Sequence, residues 1–96
     1  MSEMTGSRAL RLLIDGKVQG VGFRWFARNA GRELGLAGRV RNLRDGRVEV
    51  HAAGDPEQLA AFVERLRQGP PASRVTSIEE QELSSVPSWD GFEIDR

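Results

Sequence analysis

The period at which apolar residues recur in this chain switches from two to 3.6 and back, twice, which leaves few ways to stack its elements. Residues 8–15 alternate, with Leu10, Leu12 and Ile14 on one side and Arg11, Leu13 and Asp15 on the other, the pattern of a strand with one face in a core. From Phe23 the apolar positions become Phe23, Phe26, Ala27, Ala30 and Leu34, one stripe of an α-helix that Gly35 ends. Residues 38–43 and 46–52 return to period two around Asp45-Gly46, a pair that tolerates positive φ and predicts a tight hairpin. The second helix carries its own punctuation. Asp55 is a ready N-cap, Pro56 suits the first helical position, Leu59, Phe62, Val63 and Leu66 form the stripe, and Gly69-Pro70-Pro71 stops it. Val75 to Leu83 predicts a fourth strand, and Phe92 with Ile94 a short fifth.

The order β-α-β-β-α-β is that of the α+β, ferredoxin-like split β-α-β sandwich: an antiparallel sheet with both helices on one face. Ninety-six residues suit one such domain, predicted over 8–96, behind a flexible N-terminus over 1–7. A helical crossover returns the second strand parallel to the first, so both end at one edge of the sheet, where the first helix begins. Arg24 and Asn42 are thereby predicted near that edge, and period two puts Asn42 on the helix-bearing face with Val40.

Composition narrows the chemistry. With no Cys, no Tyr and His51 as the single histidine, the chain has no thiolate nucleophile, no disulfide and no cysteine metal site. Any catalysis rests on Arg, Asn, Asp, Glu or backbone groups. Fourteen basic and fourteen acidic residues cancel, yet the first 47 residues hold ten basic and four acidic side chains and the remaining 49 the reverse. An anionic ligand therefore meets the first half. No run of 18 apolar residues and no leader pattern is present, so the expectation is a cytoplasmic protein with no membrane partner, and a monomer. His51 falls on the strand face opposite Val48 and Val50 and reads as a surface residue. Arg28 and Arg32 read as a solvated helix face, Glu79, Glu80 and Glu82 as a solvated acidic run, and Trp25 and Trp89 as packing or rim residues.

Between the first strand and the first helix lies GKVQGVGFR, residues 16–24. Its three glycines open backbone geometry closed to other residues, and N–H groups entering a helix N-terminus suit an oxyanion. Neither the Walker A spacing nor the dinucleotide-binding glycine pattern is met. Arg24 stands at the helix start, where a cation is mildly unfavourable unless an anion is shared.

These residues resemble the acylphosphatases over residues 8 to about 96. GKVQGVGFR is similar to that family's substrate loop, G-[KR]-V-Q-G-V-x-F-R. The resemblance implies a phosphate-binding loop of Lys17, Val18, Gln19, Gly20, Val21, Gly22 and Phe23, ending in a catalytic Arg24. GRVRNLRDGRVEV, residues 38–50, is similar to the family's G-[aromatic]-V-[basic]-N-x-x-x-G-x-V segment and implies Asn42 as the catalytic asparagine. Two positions depart from the pattern: Arg39 where an aromatic is usual, and Asp95 where a basic residue is usual. The resemblance implies hydrolysis of a small-molecule acyl phosphate to a carboxylate and inorganic phosphate, with phosphate or sulfate binding as product or mimic. No metal and no cofactor is demanded, because the carboxylate leaving group needs no acid and phosphoryl transfer leans on positioning and charge. A pocket built around the phosphoryl group is expected to discriminate weakly among acyl tails. Two other readings are a noncatalytic anion-binding or carbamoyl-phosphate-handling module, and an RNA-binding module of the same fold. The latter lacks the aromatics on its central strands that stack bases, so no nucleic-acid partner is expected.

Overall fold

The computed structural model describes residues 7–95, so the stretch 1–6 of the predicted flexible N-terminus lies outside the described residues, as does Arg96. The elements are β1 (Arg8–Lys17), α1 (Phe23–Glu33), β2 (Ala37–Asn42), β3 (Val48–Gly54), α2 (Pro56–Gln68), β4 (Arg74–Glu82) and β5 (Phe92–Ile94). They form a five-stranded sheet in the order β4-β1-β3-β2-β5. β3 pairs antiparallel with β1 and β2, and β4 antiparallel with β1, as the split β-α-β order requires. β5 pairs parallel with β2 and makes the sheet mixed at that edge. Among the described residues no helix is long and apolar enough to cross a membrane.

One side of the sheet and the two helices close a single apolar layer. Leu12, Ile14, Val40, Val48, Val50 and Ala52 from the strands meet Phe23, Ala27, Ala30, Leu59, Phe62 and Leu66 from the helices. Each fully buried Phe or Leu contributes roughly 1.5–3 kcal/mol relative to exposure. Phe92 draws β5 into place: its ring is fully buried and lies 5.5 Å from that of Phe62. Gly31 of α1 makes room for it, since a Cβ there would stand 2.4 Å from the Phe92 ring. The second helix is capped as its residues dictate, with Asp55 accepting from the Glu57 N–H at 2.8 Å, Pro56 at the start and Gly69 at φ 66° past the end.

Departures from the periodic reading have local causes. β1 runs on to Lys17 through a bulge between Asp15 and Gly16, so Gly16 and Lys17 are the last residues of the strand that leads into the loop. Gly16 takes φ 127° there, and a Cβ would lie 2.0 Å from the Arg74 carbonyl oxygen. The β2–β3 connection is also longer than a two-residue turn: Leu43 N–H donates to Arg47 O at 2.8 Å and Gly46 N–H to Leu43 O at 3.2 Å. Only Gly46, at φ 99°, has positive φ; Asp45 instead accepts from the Arg47 N–H at 3.1 Å. On α1, Arg32 is not simply solvated, because its Nε donates to Phe92 O at 3.0 Å and ties the helix to β5. Of the acidic residues on β4, Glu82 pairs with Arg8 at 2.7 Å and Glu80 with Arg67 at 3.7 Å, exposed contacts of little energetic weight.

The outer face of the sheet is polar and paired. Glu49 is only 5% exposed and is held between Arg11 Nε and Arg41 Nε, each at 2.7 Å. His51 lies beside it, 3.7 Å away, half-buried rather than fully at the surface because Trp89 stacks on it with centroids 5.9 Å apart. The two residues that depart from the family pattern face each other, Arg39 Nε lying 3.8 Å from Asp95 Oδ1. Burial raises the Glu49 pKa, but the hydrogen bonds from Arg41 and Arg11 outweigh it and hold the carboxyl below its ordinary value. A depressed folded pKa means stabilisation that is present above the unfolded value and lost as pH falls through the folded one. Glu49→Ala is therefore expected to lower unfolding free energy by about 1–3 kcal/mol at neutral pH. The deficit should narrow as the solution is acidified below the carboxylate range. Urea denaturation of both proteins across pH measures it, and a deficit that widens on acidification would contradict the pairing.

Candidate active site

The loop leading into α1 is clamped at both ends by core residues. Val18 and Phe23 are each 1% exposed, so their side chains anchor the loop and only their backbone is free to serve a ligand. Between them Gly20 and Gly22 take φ 75° and 82°. A Cβ at either would meet nothing within 4 Å, so glycine is needed there for conformation and not for space. Gly22 is the N-cap of α1. Among the described residues no side chain caps the helix, and no acidic residue lies in its first turn. The N-terminal N–H groups of α1 thus lack the partner that Asp55 supplies to α2, and the positive end of the helix dipole faces outward beside Arg24. Lys17, Gly20 and Gly22 are exposed, and Val21 is partly buried.

Asn42 ends β2 at the same edge. Val48 is the cross-strand partner of both Ile14 and Asn42, so the three residues run in a line across the sheet on one face. Ile14 and Val48 are fully buried in the core, which places the Asn42 side chain on the helix-bearing face as period two predicted. Gln19 joins the two halves: its Nε2 donates to Leu43 O at 2.7 Å and to Arg47 O at 2.9 Å. The loop is thereby fastened to the residue that follows Asn42. Only the Val-Gln-Gly spelling marks Gln19 in the sequence; spacing does not say that it braces two segments.

Two polar groups here are unspent. Asn42 Oδ1 is buried and accepts no hydrogen bond from the described residues. Such orphans are rare and call for a missing partner such as a water or ligand. Arg24 is half-buried and, among the described residues, has no carboxylate partner, whereas eight other arginines are ion-paired. A hollow of about 280 Å³, lined by Arg24, Trp25, Arg28, Glu93 and Ile94, opens beside it. A second hollow of about 270 Å³ lies on the outer face among Arg39, Arg41, Glu49, His51, Trp89 and Asp95. Its Arg39 and Arg41 are already matched by its own carboxylates.

The split β-α-β sandwich, with a glycine loop leading into the uncapped end of α1 and fastened to the end of β2, defines a small α+β domain of the ferredoxin-like class. The acylphosphatase family model matches residues 10–94, and the chain belongs to the acylphosphatase family. An acylphosphatase from Solibacter usitatus is 48% identical over 93 residues, 97% of this chain and 96% of that one. The crystal structure of the Bacillus subtilis acylphosphatase superposes with a TM-score of 0.90 at 42% identity, covering 93% of this chain and 99% of that one. The structure of an acylphosphatase from Coxiella burnetii does so with a TM-score of 0.93 at 32% identity, covering 99% of each. The chain is thus a hydrolase of acyl phosphates, splitting a carboxyl-phosphate bond to a carboxylate and inorganic phosphate.

Proposed function

We propose that Arg24 binds the phosphoryl group of the acyl phosphate and that Asn42 aims the attacking water at phosphorus. The observation that carries this reading is the buried, unpartnered Oδ1 of Asn42 at the strand end to which Gln19 fastens the glycine loop. The Arg24 guanidinium presents a planar fork to two phosphoryl oxygens, and the N–H groups of Lys17 to Phe23 and the dipole of α1 face the others. A carboxamide is no base at ordinary pH, so Asn42 contributes geometry: Oδ1 accepts one water O–H and fixes the direction of the lone pair.

The water oxygen forms a bond to phosphorus as the bond from phosphorus to the acyl oxygen breaks, and that electron pair leaves on the carboxylate. The displaced water proton passes to a phosphoryl oxygen, giving R–COO⁻ and dihydrogen phosphate from R–CO–O–PO₃²⁻ and water. No protein acid is required, which accords with a chain holding one histidine and no cysteine. The domain over 8–96 acts as one catalytic unit, with inorganic phosphate as product and sulfate as its mimic. Trp25 and Val86 are the only large hydrophobics exposed among the described residues, which favours a monomer. Acyl phosphates hydrolyse readily in water, so an enzyme for them belongs in the compartment where they form, the cytoplasm.

Hydrolysis of benzoyl phosphate in ¹⁸O-water tests the direction of attack. The label is expected in inorganic phosphate, with turnover unaltered by EDTA. Label in benzoate would place attack at the carbonyl and contradict the roles given to Arg24 and Asn42.

A further inference from the structure

Trp25 directly follows Arg24 and is 57% exposed, although α1 buries Phe23 in the core and packs Phe26 against it. The core does not account for this ring. It forms one wall of the 280 Å³ hollow that Arg24 also lines. Arg28, one turn further along α1, is half-buried with its guanidinium carbon 4.1 Å from the Trp25 ring centroid. That stacking holds the cation in place and, among the described residues, leaves its Nη1 without a hydrogen bond. Its only described hydrogen bonds are two long ones, 3.3 and 3.2 Å, to its neighbour Asn29, and among the described residues it has no carboxylate partner. Glu93 also lines the hollow, but its carboxylate lies 3.3 Å from Arg32, which offsets its charge.

The opposite wall ties the hollow to the reaction. Ile94 of β5 is in register with Val40 of β2, two residues before Asn42. Parallel neighbours in register share a face, so Ile94 is on the same side of the sheet as Asn42, adjacent to its end. The hollow is therefore walled by Trp25 and Ile94, with Arg24 at one end and Arg28 about 6 Å along the helix, the rise of four residues.

We propose that this hollow is the acyl subsite and that it selects acyl phosphates whose acyl group carries a second negative charge, monoacyl phosphates of dicarboxylic acids. The inference rests on the assignment of Arg24 to the phosphoryl group. With Arg24 neutralised by that group, Arg28 is the remaining cation in the hollow, at a distance that a short chain or one ring spans. The acyl body lies against Trp25 and Ile94, and its terminal carboxylate meets the Arg28 guanidinium at Nη1, in place of the long contacts to Asn29. Discrimination among acyl tails is then substantial, contrary to what the phosphate loop alone leads one to expect.

Three probes separate charge from shape: benzoyl phosphate, 4-carboxybenzoyl phosphate and the isosteric, neutral 4-carbamoylbenzoyl phosphate. The readout is the ratio of kcat/KM for the carboxylate over the carboxamide within each protein, in which the folded fraction cancels. Wild type is expected to favour the carboxylate by about tenfold at low salt, with the preference shrinking as salt is added. Arg28→Ala should bring the ratio to about one and Arg28→Lys should restore part of it, while Trp25→Ala should raise KM for both tails. A wild-type ratio near one, or a preference that survives in Arg28→Ala, would overturn the subsite. Loss of benzoyl phosphate turnover in Arg24→Ala alongside such a result leaves the phosphoryl assignment standing. Retained turnover in Arg24→Ala removes both.

Discussion

Arg24→Ala is expected to lose affinity for inorganic phosphate and turnover together. The guanidinium is the half-buried cation at the open end of α1, and among the described residues no carboxylate competes for it. In the proposed role, its removal takes two charge-assisted hydrogen bonds from the ground state, where phosphate is bound, and from the transition state, where charge on the equatorial oxygens grows. Losing one positioned donor typically lowers kcat by about 10²–10³, or about 2.7–4 kcal/mol, and a bidentate cation belongs at the upper end of that range. Arg24→Lys keeps a charge but not the fork and is expected to recover only part of the loss. Competitive inhibition by phosphate and steady-state hydrolysis of benzoyl phosphate measure the two losses. An alanine variant with an unchanged inhibition constant would show that the phosphoryl group is held elsewhere.

Asn42→Ala is expected to separate what Arg24→Ala joins. The carboxamide sits at the end of β2, on the helix-bearing face, and its orphan oxygen is buried. If its partner is the attacking water, phosphate inhibition should remain at the wild-type level while kcat falls by about 10²–10³. The fold should tolerate the change, because the oxygen being removed holds no hydrogen bond within the described residues. Thermal unfolding of the variant beside its kinetics checks that point. A variant that loses phosphate binding in proportion to turnover would make Asn42 a phosphate ligand and leave the water without a guide.

Much of the fold around this site was legible in the sequence, and the reasons are local. Asp55, Pro56 and Gly69 bound α2 through contacts within one helical turn, and those contacts formed. Strict alternation around Val40 put Asn42 on the correct face, because strand period leaves no other choice. What stayed hidden depends on partners distant in sequence. The bulge at Gly16 answers to the Arg74 carbonyl on β4, and no apolar rhythm across Asp15, Gly16 and Lys17 announces it. β5 stands where Phe92 and Ile94 predicted it, but its parallel pairing with β2, with Phe92 buried in the core, was not readable from three residues. His51 is covered by Trp89, a residue 38 positions later. The two departures from the family pattern, Arg39 and Asp95, lie 3.8 Å apart, a proximity that their separation of 56 positions hides. Gln19 is the instructive case at the site itself. Its two bonds to the β2–β3 turn hold the loop against the strand end bearing Asn42, a geometry that neither the loop nor the turn encodes alone.

A crystal structure of the protein with vanadate or phosphate bound tests most directly whether one pocket joins the two side chains. The account predicts an oxyanion held by the Arg24 guanidinium and the N–H groups between Lys17 and Phe23, with a water on Asn42 Oδ1 facing phosphorus or vanadium. An oxyanion bound away from Arg24, or an Asn42 side chain turned from it with no water between them, would contradict it.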